Sequence, residues 1–118
     1  MADEMLPKVS KELTDKRKRL APETFEAWRA FSRQVFADGA LPGKTKQLIA
    51  VAVAHVTQCP YCVKGHTRQA LAAGATEEEL MEAIWVAAEM RAGAGYAHSL
   101  VAIDAMPHHE HGSGSGDH

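Results

Sequence analysis

Apolar residues recur along this chain at steps of three and four, the period of a helix with one buried face. Phe25, Trp28, Phe31 and Val35 hold one such face, in a segment that Pro22 can open at its first helical position and Gly39 can stop. A shorter, polar helix is predicted ahead of it over Lys11–Leu20. Pro42-Gly43 then punctuates, and the stretch from Lys44 to about Thr57 is apolar nearly all round through Leu48, Ile49, Val51, Val53 and Val56, as a helix buried on several sides would be. Its β-branched residues would also suit a strand, but the chain offers no second strand to pair with it. Pro60 suits the first position of the next helix, which makes Cys59 its N-cap and carries it through Leu71 to a stop at Gly74. Thr76 and Glu79 have the spacing of a capping box, Glu77 and Glu78 suit the positive end of a helix, and Ile84 to Met90 form its apolar body. Gly93 and Gly95 predict a break or bend, with a last helix carrying Tyr96, Leu100, Val101 and Ile103. The fold class is therefore all-α. Residues 107–118, Pro-His-His-Glu-His-Gly-Ser-Gly-Ser-Gly-Asp-His, have nothing apolar to bury and predict a disordered tail. The expected division is a polar segment or short helix over 1–21, a helical domain over 22–106, and that tail.

Composition adjusts this picture in two ways. Aromatic residues make up only 6% of the 118 residues and alanine is abundant, so the core must come from small side chains on closely approaching helices. Such helices bury little alone, which points to a homo-oligomer. The net charge of −2, with both signs interspersed, gives no basic face for nucleic acid. No run approaches the roughly 20 apolar residues of a membrane span, and no leader is evident, so the expected location is the cytoplasm.

Both cysteines of the chain lie in Cys59-Pro60-Tyr61-Cys62, with His66 four residues on. In a reducing cytosol such a pair is more often catalytic or metal-binding than structural. A sulfur at the N-cap and another at the third helical position lie beside unpaired N–H groups and the positive end of the dipole, which favours thiolate at one or both. The step from Cys62 to His66 puts the imidazole on the face of that sulfur, where it can act as its base. Two assignments follow. Cys62 attacks a peroxide and Cys59 condenses with the resulting sulfenic acid, which the His66 spacing favours, or Cys59 at the helix end is the nucleophile. Gln47, Val51 and His55 share a stripe of the preceding helix, so Gln47 and His55 can face the cysteines if the helices fold back. Otherwise His55 bonds a carbonyl at its own helix end and Gln47 is a surface residue.

These residues resemble the alkylhydroperoxidase D (AhpD)-like, carboxymuconolactone decarboxylase family. The likeness runs from about Leu41 to Met106 and rests on Lys44-Thr45-Lys46, the apolar helix, His55, Cys59-Pro60-Tyr61-Cys62, His66 and the turn from Ala72 to Glu79. It implies a helical bundle assembled as a homotrimer or homohexamer. It also implies thiol-dependent peroxide reduction, with the second cysteine attacking, the first resolving, and an unidentified thiol reductant restoring the pair. No cofactor or resident metal is implied. The family's proton-relay glutamate lies twelve residues before the first cysteine, where this chain has Gln47, and an amide cannot take a proton. Either His55 or a carboxylate such as Glu82 or Glu89 then replaces it, or peroxidase activity is weak. Decarboxylase members lack the dithiol, which makes lactone decarboxylation the lesser branch.

Other chemistries fit parts of the pattern. Cys-Pro-Tyr-Cys is also a glutaredoxin tetrapeptide, but that fold needs strands this chain lacks. Dithiol–disulfide exchange with a partner protein remains an alternative. So does a tetrahedral zinc site from Cys59, Cys62, His66 and His55. His108, His109, His111 and His118 belong to the solvated tail, and Trp28 and Trp85 are assigned to the core or to an interface. Glu89, in an apolar run, is expected to pair with Arg91 or another base, or to have a raised pKa and a role.

Overall fold

The computed structural model describes residues 6–107, which form five α-helices and no strand. They are α1 (Lys11–Leu20), α2 (Pro22–Phe36), α3 (Gly43–Thr57), α4 (Pro60–Ala72) and α5 (Glu77–Ala105). The expected tail beyond Pro107 lies outside the described residues.

The helices form two compact units, one ending at Pro42 and the other beginning at Gly43. In the first, Ser10 caps α1 by accepting the Leu13 N–H, and Pro22 opens α2. Lys18 and Arg29 each lie 5.7 Å from the Phe25 ring centroid, where the cation meets the negative face of the ring. Trp28 and Phe31 form a tilted pair 5.8 Å apart, yet Trp28 is 62% exposed and does not belong to a core of this chain.

In the second unit α3 packs against both α4 and α5. The core is small, as the composition requires: Val51, Ala70, Ala75 and Leu80, with Leu48 and Ile84 packed against them. Val51 is completely buried, which is worth about 2 kcal/mol. Around this core a large apolar surface stays open to solvent, including Ile49, Val53, Met81, Trp85, Val86 and Met90. Trp85, 66% exposed, is likewise no core residue of the single chain.

Helix ends decide where the cysteines sit. Both α3 and α4 finish with a left-handed residue and a bond that reaches back five residues: Cys59 N–H to Ala54 O at 3.2 Å, and Ala75 N–H to Ala70 O at 2.9 Å. At the end of α4 the left-handed residue is Gly74, φ 99°, which has no Cβ to strain. At the end of α3 it is Gln58, φ 60°, which bears a cost of about 1 kcal/mol to turn the chain directly into Cys59. Arg91 of α5 donates to the Val56 carbonyl at 2.7 Å and satisfies one of the orphan acceptors of the same helix end. Glu89 is solvent-exposed.

The expected break near Gly93 and Gly95 does not occur. One 29-residue helix runs from Glu77 to Ala105, about 43 Å long. Each glycine costs about 1 kcal/mol relative to alanine, and the helical residues on both sides outweigh that local penalty because propagation is far cheaper than a second nucleation. Its start is fixed by a complete capping box: Glu79 N–H donates to Thr76 Oγ1 at 3.0 Å, and Thr76 N–H donates to Glu79 Oε1 at 2.9 Å. Lys44 on α3 pairs with the same carboxylate at 3.0 Å, tying two helices together. Together the Thr76 N–H and Lys44 hold the Glu79 carboxyl below its ordinary pKa. Thr76→Ala removes the cap and should cost about 1 kcal/mol, a fall of roughly 5 °C in Tm by circular dichroism. An unchanged Tm would show that tertiary packing alone fixes this helix end.

Candidate functional site: two thiols at a helix N-terminus and a buried amide behind them

Pro60 at the first position of α4 lacks an N–H, and the next orphan donor in reach, Cys62 N–H, is taken by the Cys59 sulfur at 3.2 Å. Cys59 is therefore the N-cap of its helix, as its place before Pro60 suggested. The Cys59 and Cys62 sulfurs stand 2.7 Å apart; both cysteines are free and half-buried. This geometry separates two otherwise equivalent groups. Cys59 is held below the ordinary thiol pKa, chiefly by the Cys62 thiol and then by the Cys62 N–H, because both bonds favour its anion. Cys62 is pushed above it, first because its proton is held by Cys59, then by burial and by the neighbouring negative charge. The two sulfurs are thus unequal, with Cys59 the more readily ionised of the pair.

One turn further along α4 lies His66, whose Nδ1 stands 2.8 Å from Gln47 Oε1. An amide oxygen only accepts, so Nδ1 donates in this bond. Gln47 is buried, 7% exposed, on α3 beside Val51, and its Nε2 donates to Gln69 Oε1 at 3.0 Å. A polar group so placed costs about 1–3 kcal/mol if unpaired, and here both ends of the amide are paired. The surface reading of Gln47 is thus corrected: the helices do fold back on each other and bring Gln47 to His66.

His55 behaves differently. Its Nδ1 donates to Val51 O, one turn back on its own helix, at 2.8 Å. Glu82 and Glu89 are both solvent-exposed on α5. Among the described residues no group of three or more His, Cys, Asp or Glu side chains could hold a metal ion, so Cys59, Cys62, His66 and His55 do not converge as a zinc site. Sequence reasoning missed Gln69, which completes the hydrogen-bond chain. The available signal was its position three residues after His66, on the same helical face.

Comparison with known proteins places this chain in a wider group. The profile of the carboxymuconolactone decarboxylase family matches residues 22–105. The chain is 58% identical over 103 residues to protein 4 in the cox locus of Paracoccus denitrificans, covering 87% of this chain and 92% of that one. It is 38% identical over 82 residues to a Cupriavidus necator protein, covering 70% and 73% respectively. Among solved structures, a carboxymuconolactone decarboxylase family protein from Legionella pneumophila, in its apo form, superposes with a TM-score of 0.64 at 35% identity, over 67% of this chain and 70% of that one. A protein from Methanobacterium thermoautotrophicum gives 0.66 at 37% identity, over 70% and 93%.

Proposed function

The chain belongs to the carboxymuconolactone decarboxylase family, and from that premise we propose that it is a thiol-dependent peroxidase of the alkylhydroperoxidase type. The observation that carries this reading is the sulfur pair itself: two free cysteines whose sulfurs stand 2.7 Å apart at a helix N-terminus, with His66 one turn on.

The asymmetry supports distinct roles. Thiolate nucleophilicity rises with pKa, so Cys62, once deprotonated, is the stronger nucleophile, and Cys59, the thiol of lower pKa beside it, is placed to resolve. A thiol with a raised pKa needs a base, and His66 is the imidazole one turn away. Cys62 sulfur attacks the terminal peroxide oxygen; the S–O bond forms as the O–O bond breaks. His66 takes the thiol proton and returns it to the departing alkoxide, which leaves as an alcohol. The Cys59 sulfur then attacks the Cys62 sulfenic acid: the S–S bond forms as the S–O bond breaks, the hydroxide takes the Cys59 thiol proton and leaves as water, and the disulfide is returned to two thiols by an external dithiol. The sum is one peroxide and two thiols giving one alcohol, one water and one disulfide.

Peroxide consumption by reduced protein, supplied with a dithiol reductant, tests this; sustained turnover is expected, and consumption no faster than the reductant alone would reject it. A second reading is favoured by the low pKa of Cys59, which suits a nucleophile for disulfide exchange with a partner protein. Capture of a mixed disulfide through Cys59 in Cys62→Ser, with no peroxide turnover in the wild type, would select it.

The open apolar surface of α5 and α3 supports assembly as a homotrimer or homohexamer. Light scattering at micromolar concentration should give such a mass, and a monomer would contradict it. No helix among the described residues is long and apolar enough to cross a membrane, in keeping with a cytoplasmic enzyme.

A further inference from the structure

We infer that the groove between α1 and α2 receives Trp85 of a second copy of this chain, with Glu82 and Glu89 of that copy meeting the guanidinium groups of Arg17 and Arg29. The inference rests on the reading of the protein as a homo-oligomer and names the contact that joins the copies.

The groove lies wholly within the first unit. It has a volume of about 560 Å³ and is lined by Thr14 and Arg17 of α1 and by Thr24, Phe25, Trp28 and Arg29 of α2. Arg29 lies 5.7 Å from the Phe25 ring centroid, Trp28 is 62% exposed, and both arginines face solvent. The chain therefore offers an open hollow of aromatic walls and cations. α1 ends on the basic run Lys16-Arg17-Lys18-Arg19, of which Lys18 pairs with Glu26 at 3.8 Å.

α5 presents the complement. Leu80, Ile84 and Ala87 hold the buried face of its first half. At 3.6 residues per turn Trp85 stands on the opposite face, where it is 66% exposed. Glu82, one turn before it, and Glu89, one turn after it, share that exposed stripe, about 10 Å apart along the axis. Glu79 of the same helix is already paired with Lys44 at 3.0 Å, whereas Glu82 and Glu89 face solvent. An indole with a carboxylate on either side fits a hollow of aromatic rings with two guanidinium groups. The indole gains cation–π and ring contacts, the Thr24 hydroxyl supplies the acceptor its N–H needs when buried, and the charges match in sign. A small organic acid in the groove would leave Trp85 and its two carboxylates uncovered; a second copy covers both surfaces at once. Tryptophan and arginine are also the residues on which protein interfaces most depend. Every copy carries the groove and the indole on different elements, so the contact is heterologous and repeats from copy to copy until a ring closes, as a trimer requires.

Charge exchange tests the pairing. Arg17→Glu with Arg29→Glu, and separately Glu82→Arg with Glu89→Arg, set like charges across the contact. Each pair should raise the subunit concentration needed for half-assembly by about 10²-fold or more. A chain with all four substitutions restores opposite charges and should assemble as the wild type does. Trp85→Ala empties the groove at a solvent-exposed position and should weaken assembly about tenfold or more. Mass is read by light scattering over a range of subunit concentrations, and circular dichroism checks the helices of each chain. Wild-type assembly in Trp85→Ala or in either charge-reversed pair would overturn the inference and return the groove to a small organic acid. A folded fourfold variant that fails to assemble would overturn it as well. Should the fourfold variant lose its helices, the two charge-reversed chains are mixed instead, and they must assemble together though neither does alone; no mixed assembly overturns the inference. A wild type that assembles beside unaffected variants rejects this contact and keeps the oligomer, whereas a monomeric wild type rejects both.

Discussion

Cys62→Ser should abolish peroxide turnover, whereas Cys59→Ser should consume a single equivalent and stop as the Cys62 sulfenic acid. The contrast follows from the unequal pair. Removing Cys59 takes away the neighbouring sulfur whose contact and charge, with burial, raise the Cys62 pKa. In Cys59→Ser the Cys62 thiol should therefore ionise at lower pH than in the wild type and still attack, but nothing remains to resolve the product. Cys62→Ser keeps the backbone N–H that reaches the Cys59 sulfur but removes the attacking thiol. Quenched-flow peroxide assays with dimedone trapping distinguish the two variants. A sulfenic acid on Cys59 in Cys62→Ser, formed at the wild-type rate, would exchange the roles.

His66→Ala should slow attack at neutral pH by about 10²-fold or more, the contribution of a positioned base. The size of this effect depends on the raised pKa of Cys62. A thiol already ionised at neutral pH would need no base, and one pushed above the ordinary range needs it most. The loss should shrink as pH rises through the Cys62 pKa, because solvent then supplies the thiolate that His66 otherwise generates. A profile of Cys62 alkylation against pH in wild type and variant measures this directly, and superimposable profiles would remove His66 from the mechanism. His55→Ala should have the smaller effect, since its Nδ1 is committed to Val51 O. Gln47→Glu keeps the acceptor that His66 Nδ1 needs and adds a group able to exchange a proton, so it should match or exceed the wild-type rate.

The helices were legible wherever a local signal matched a physical need. Pro22 and Pro60 open α2 and α4, Gly74 supplies the left-handed stop of α4, and Thr76 with Glu79 builds the start of α5. The misjudged places are those where a local cost is overruled by something distant or collective. Gly93 and Gly95 announce a break that the length of α5 absorbs. Gln58 adopts a conformation usually given to glycine, and no residue-type signal marks it. The chemistry divides the same way. Cys59, Cys62 and His66 lie on one helix, so spacing alone relates them. Gln47 and Gln69 meet only through the packing of α3 on α4, and a glutamine's polarity argues for the surface until its partners are seen. Trp28 and Trp85 were assigned to core or interface by size, and their exposure removes the core for a single chain.

The most direct measurement is a thiol count after one turnover. Reduced protein, freed of reductant, is mixed with one equivalent of an organic hydroperoxide per subunit, quenched with an alkylating agent, and mapped by mass spectrometry. The expected result is the loss of both thiols, a Cys59–Cys62 disulfide within one chain, and one equivalent of alcohol released. Two alkylated cysteines and unconsumed hydroperoxide would contradict the peroxidase reading.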